Sequence, residues 1–165
     1  MTPVADRAAR LLGGKYLTFF LAGEEYGIEI LHVQEIISSM PVTRVPRTPP
    51  FIRGVINLRG KVIPVVDLRH KFGLPPAAAP EQVMIVVQVA GVLVSVVADR
   101  VSEVASITDA DIDSAPDFGD GFRGDLLLGL GKANGRLRLL LDIERVLSGD
   151  ASAALVLTPA PPADS

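Results

Sequence analysis

Three groups of residues in this chain have types and spacings that could do chemistry. Asp109, Asp111, Asp113, Asp117 and Asp120 are spaced like the oxygen ligands of a calcium loop. Such a loop needs glycine sixth for its sharp turn and a bidentate glutamate twelfth. Those positions hold Ser114 and Asp120, so the stretch reads as a solvated acidic loop. Gly54, Gly60 and Lys61 approach a phosphate-binding loop, which needs four residues between its glycines and a hydroxyl residue after the lysine. Five intervene here and Val62 follows, so the backbone N–H groups are misaimed and no side chain serves magnesium. His32 and His70 lack both the i, i+4 spacing of a zinc hydrolase and a neighbouring acidic base. There is no cysteine, hence no disulfide, thiolate metal site or cysteine nucleophile. No Gly-x-Ser-x-Gly elbow is present either. The sequence nominates no catalytic residue, no metal ligand and no cofactor, and it does not read as an enzyme.

What remains is surface, and the elements that display it. At 165 residues and 48% hydrophobic, the chain has enough apolar side chains for one domain, or for two small units sharing a core. A net charge of −3 gives no general pull toward nucleic acid or anionic lipid. The opening "MTPVADRAARLLGG" lacks the apolar run of a secretory signal. The stretch Met84 to Ala98 is too short for a membrane helix and is broken by Gln88, Gly91 and Ser95. These features predict a cytoplasmic chain with no direct membrane insertion. Short runs punctuated by Gly, Pro and Asp predict a mainly β fold: "KYLTFFLA", "EYGIEI", "VTRVP", "FIRGVINL", "KVIPVV", "QVMIVVQVA", "VLVSVVA", "DLLLGL" and "RLRLLL". Residues 1–14 read as a flexible leader, and the Pro- and Ala-rich residues 149–165 as a disordered tail.

The body is duplicated. Ala22 to Ile36 matches Ala90 to Val104, which aligns Val33 with Val101, Glu35 with Glu103 and Ile36 with Val104, each 68 positions on. Gly54 to Leu68 then matches Gly129 to Ile143, which aligns Gly60-Lys61 with Gly135-Arg136 and Asp67-Leu68 with Asp142-Ile143, each 75 positions on. The larger second offset requires a longer loop in the second half, where the acidic "TDADIDSAPDFGDG" lies. Two β units of roughly 65 residues each would be marginal alone and should pack together. Each ends in an aspartate, Asp67 or Asp142, placed to cap a short helix that glycine terminates.

Two charges stand beside apolar positions. Glu35 lies in "HVQEII" and Arg59 at a turn between apolar strands. Spacing alone leaves two readings open. They are ordinary solvated or mutually paired charges, or they rim a hydrophobic groove in which a guanidinium grips a partner.

The segments "EEYGIEILHVQEI", "TRVPRTPPFIRGVINLRGKVIPVVDLRHKFG" and "GLGKANGRLRLLLDIERVL" together resemble the CheW family of bacterial chemotaxis coupling proteins, over about residues 15 to 148. The resemblance implies two packed five-stranded SH3-like β-barrels with a short helix after each repeat. The subdomains would be approximately 15–80 and 81–148, with strand exchange between them allowed. It implies a non-catalytic adaptor that joins the cytoplasmic tip of a chemoreceptor to the regulatory domain of a CheA-type histidine kinase, in membrane receptor arrays reached through those partners. Carried across by motif, the receptor- and kinase-coupling residues are Val33, Glu35 and Ile36 from "VQEI", Gly54 and Arg59 from "GVINLRG", and Val101 and Val104 from "VSEV". His32 and Arg138, the latter inside an apolar strand, depart from the expected pattern. The alternatives are an adaptor of another chemosensory pathway, such as pilus-based motility, and, from another class, a small-barrel nucleic-acid binder. Only 5% aromatic residues and the acidic balance weigh against the last.

Overall fold

A computed structural model describes residues 13–76, 83–114, 126–133 and 135–147. The leader up to residue 12, the tail, Asp117 and Asp120 lie outside them. In chain order the strands are β1 (Gly14–Leu21), β2 (Glu24–Glu29), β3 (Val33–Ser38), β4 (Ile52–Leu58) and β5 (Lys61–Val66), then β6 (Val83–Val89), β7 (Val92–Ala98), β8 (Arg100–Ile107), β9 (Ile112–Asp113), β10 (Leu127–Ala133) and β11 (Arg136–Leu141). Helix α1 (Leu68–Lys71) follows β5, and a helical turn, α2, spans 143–147 after β11.

The strands form two sheets. One has the order β3-β6-β7-β5-β4, the other β8-β1-β2-β11-β10-β9. Five strands were expected in each, and the sixth is the two-residue β9. Its counterpart in the first half is only the bridge between Thr43 and Val55. Each sheet draws on both repeats: the β1–β2 hairpin joins β8, β10 and β11, while the β6–β7 hairpin joins β3, β4 and β5.

The ladder registers reproduce the sequence offsets. Gly27 pairs in parallel with Leu140, and its counterpart Ser95 pairs with Val65. Val33 pairs with Val87 and Val101 with Phe19, each before a one-residue shift in its ladder. Sequence-equivalent residues therefore occupy equivalent places in two barrels of the same build.

Period-two alternation sorts side chains between three cores. Ile85, Val87, Val94 and Val96 of one sheet meet Leu17, Phe19, Tyr26 and Leu141 of the other in a core that both sheets share. Met84, Val86, Val97, Ile56 and Ile63 fill the interior of the five-stranded barrel. Tyr16, Ala105, Ile107 and Leu140 line the six-stranded one. Strands buried on both faces read as unbroken apolar runs, which is why "VMIVVQV" and "VLVSVVA" are so hydrophobic.

The two aspartates do the same local work. Asp67 N–H donates to the Phe51 carbonyl at 2.7 Å, and Asp142 N–H to that of Leu126 at 2.8 Å. Each carboxylate then accepts from an N–H three residues on, His70 at 3.3 Å and Arg145 at 3.2 Å. Asp142→Ala should cost about 1 kcal/mol in a denaturant titration, the usual value of an N-cap. Asp67→Ala should cost more, because its pair with Arg53 at 3.2 Å is less exposed than that of Asp142 with Arg145 at 3.4 Å.

Candidate functional site

Strands β3 and β8 are sheet edges, the places where a chain offers unpaired backbone and side chains to a partner. Both carry a β-bulge against their neighbour, between Val33 and Glu35 in one and between Val101 and Glu103 in the other. A bulge bends its strand and re-aims the side chains beyond it. Val33 and Val101 consequently turn inward and pack against the shared core. Ile36 and Val104, their neighbours past the bulge, point to solvent at 43% and 53% exposure. The two sets belong to different sheets, so five of the seven expected residues form two equivalent edges, each with one valine anchored and the next apolar side chain free.

Glu35 and Arg59 meet. The Arg59 guanidinium donates to Glu35 Oε1, which joins the β4–β5 turn to the β3 edge. Of the two readings left open by spacing, the charges do pair, and the arginine side chain is still 68% exposed. The turn explains how Arg59 gets there. Arg59 and Gly60 have φ of 53° and 89°, the two positive values that a tight two-residue hairpin demands, and Asn57 Oδ1 accepts from Gly60 N–H at 2.8 Å. A non-glycine residue held in that region costs about 1–2 kcal/mol. Gly54, by contrast, does not reach the surface. It is buried on β4 with φ of 145°, and a Cβ there would run into the Thr43 carbonyl.

Several residues outside the expected set also matter. Leu31, Val62 and Leu137 are exposed apolar side chains. Val62 and Leu137 are sequence equivalents, so the repeat offset was a signal for them. Val62 lies over an open cleft of about 350 Å³ lined also by Pro64, Val92 and Leu93, at one end of the five-stranded barrel. Inside the other barrel, Arg138 is fully buried and bonded to Glu25 and Glu103. Its only sequence signal was a charge within an apolar run.

The described carboxylates and histidine of the candidate loops pair with other protein groups. Asp109 accepts from Gly13 N–H at 2.6 Å and Asp113 pairs with Lys132 at 2.9 Å, so these carboxylates hold protein groups. His32 sits 3.7 Å from Glu29 and 3.9 Å from Glu144. Burial pushes the Glu29 carboxyl above its ordinary value, as do Asp142 and Glu144, against the opposing pull of His32. Among the described residues no cluster of His, Asp or Glu is placed to hold a metal, and no helix is long and apolar enough to cross a membrane.

Two duplicated barrels that share a core and display matched edge strands are the frame of a protein-binding scaffold, and comparison with known proteins makes that class specific to chemotaxis. A chemotaxis protein CheW from Klebsiella aerogenes is 41% identical over 154 residues, covering 93% of both chains. One from Helicobacter pylori is 37% identical over 142 residues, covering 82% of each. The crystal structure of the scaffolding protein TtCheW from Thermoanaerobacter tengcongensis superposes with a TM-score of 0.74 at 31% identity, covering 82% of this chain and 92% of that one. Residues 15–151 match the CheW-like domain. The chain belongs to the CheW-like family and is a chemotaxis adaptor.

Proposed function

We propose that this chain couples chemoreceptors to a CheA-type histidine kinase without catalysis of its own, in the cytoplasm, held at receptor arrays through its partners. The receptor tip would dock as a helix laid along the edges that carry Val33, Glu35, Ile36 and Arg59, and Val101 and Val104. Apolar contacts from Ile36 and Val104 would supply binding energy, while Glu35 and Arg59 fix register. The kinase regulatory domain would pack on a barrel end, where Val62 and its neighbours leave an apolar cleft. The observation that carries this reading is the repetition itself. The apolar side chains left in solvent on the two edges, Ile36 and Val104, are sequence equivalents, as chance exposure would not arrange.

The test is direct binding of purified protein to a receptor-tip fragment and to a kinase regulatory domain. Ile36→Glu should weaken receptor binding about tenfold or more, as expected of a desolvated apolar anchor. Arg59→Ala should weaken it less, by a few-fold, because an exposed pair contributes at most about 1 kcal/mol. Circular dichroism should be unchanged in both, since both side chains are exposed. If the unaltered protein binds neither partner where a CheW relative does, the reading is wrong.

A further inference from the structure

The repeat allows the two barrel interiors to be compared position by position. In the five-stranded barrel, Val86, Leu93 and Ile63 occupy three equivalent interior places, all apolar. In the six-stranded barrel the same places hold Thr18, Glu25 and Arg138, all buried. At these three places the chain puts hydrocarbon in one barrel and a charged network in the other, on the same backbone plan.

That network ends at the surface bulge of β8. The Thr18 hydroxyl accepts from the Glu103 N–H at 3.2 Å and donates to the Glu103 carbonyl at 3.0 Å, so it bridges the broken ladder. Arg138 Nε donates to Glu25 Oε2 at 2.9 Å, which anchors the guanidinium in the barrel. Its Nη2 then donates to Glu103 Oε2 at 2.5 Å, with Arg136 Nη2 adding a bond at 3.3 Å from outside. Glu35, the equivalent of Glu103, is met by the exposed Arg59, and the interior place equivalent to Arg138 holds Ile63.

The difference has a physical consequence. An exposed ion pair is worth at most about 1 kcal/mol and yields readily to a competing partner. The Arg138–Glu25 bond is buried and charge-assisted, about twice as strong as a neutral one, and it holds in place the guanidinium whose other edge meets the half-exposed Glu103 carboxylate. Stability alone does not explain the buried network, since an apolar replacement of similar volume is commonly as stable. The other barrel demonstrates that such a filling fits this fold. What hydrocarbon cannot provide is a directed link from the core to Glu103.

We propose that Arg138 is a positioning residue: from inside the second barrel it fixes, through Glu103, the bulge that presents Val101 and Val104, which makes β8 the rigid binding edge and leaves β3 the adjustable one. This rests on the adaptor reading above for the use of the edge, but not for its rigidity. The test is a core exchange, Glu25→Leu with Arg138→Ile, which copies the other barrel and keeps Thr18. In hydrogen exchange on the isolated protein, the amides of residues 101–105 should exchange at least about tenfold faster than in the unaltered protein, while those of β3 stay within about twofold. Binding to the receptor-tip fragment should fall about tenfold with the circular dichroism retained. A folded variant whose β8 amides exchange as before overturns the proposal, and so does loosened exchange with unchanged binding. Should the exchange variant not fold, Glu103→Ala cuts the same link at the surface, and unchanged β8 exchange there overturns it equally. If the unaltered protein binds no receptor fragment, the adaptor reading fails, and the exchange rates still decide what Arg138 does.

Discussion

Arg138→Ile alone is expected to destabilise the protein by roughly 3–5 kcal/mol at neutral pH, the usual loss when one partner of a buried ion pair is removed. Glu25 is 5% exposed and would be left with its charge opposite hydrocarbon, with the Thr18 hydroxyl beside it and Arg136 at 3.5 Å. Adding Glu25→Leu should restore most of the loss, so a denaturant cycle over the four proteins should show strong positive coupling. The pH dependence identifies the cause. In the unaltered protein burial pushes the Glu25 carboxyl up, but hydrogen bonding to Arg138 and the charges of Arg138 and Arg136 outweigh it and hold the group below its ordinary value. A carboxyl depressed by folding contributes stability above its unfolded value, about pH 4.3, and that contribution is lost as pH falls through the folded value. With Arg138 gone, burial dominates and the sign reverses. The penalty is then full at neutral pH and fades as acid protonates Glu25. The stability curves of the two proteins should therefore converge on acidification, and a gap that stays constant from pH 7 to pH 4 would refute the account.

How much of this was legible beforehand follows from which patterns are local. The repeat offsets are a one-dimensional signal, and the ladders kept them residue for residue, down to the paired caps at Asp67 and Asp142. Strands β3 and β8 were not among the apolar runs, although they carry most of the candidate site. The reason is that they are edges: "VQEIIS" and "RVSEVASI" bury alternate residues incompletely and interpose a bulge, so neither the apolar content nor the period of two is clean. The Glu35–Arg59 pair spans 24 positions and was one of two open readings. The bond from Arg138 to Glu25 spans 113 positions and depends on the parallel pairing of β11 with β2 across the repeats, which no local pattern announces. Aligning the repeats and then asking where their interior residues disagree would have exposed it. The functional signal lay in the departures from the duplication as much as in the duplication.

Gly54→Ala is expected to be the second severe change, costing roughly 2–5 kcal/mol from two effects that add. The φ of 145° is a conformation an L side chain resists, and the new Cβ would be driven against the Thr43 carbonyl. That carbonyl cannot simply move. Thr43 accepts from Val55 N–H at 2.8 Å and donates to the Val55 carbonyl at 2.9 Å, a bridge that ties β4 to the segment that leaves β3. Breaking it frees the far end of the strand that holds Glu35 and Ile36, so receptor binding should fall although Gly54 itself is buried. Gly129, the equivalent residue, supplies the control. A Cβ there meets the Asp113 carbonyl and Ile112, but its backbone carries no positive φ, so only the crowding remains. Gly129→Ala should cost roughly 1–3 kcal/mol and disturb β9 instead of β3. Denaturant midpoints should fall in the order unaltered, Gly129→Ala, Gly54→Ala. A Gly54→Ala protein that kept its stability and lost receptor binding would instead make Gly54 a point of contact, and would remove the argument that this glycine works through the backbone of Thr43.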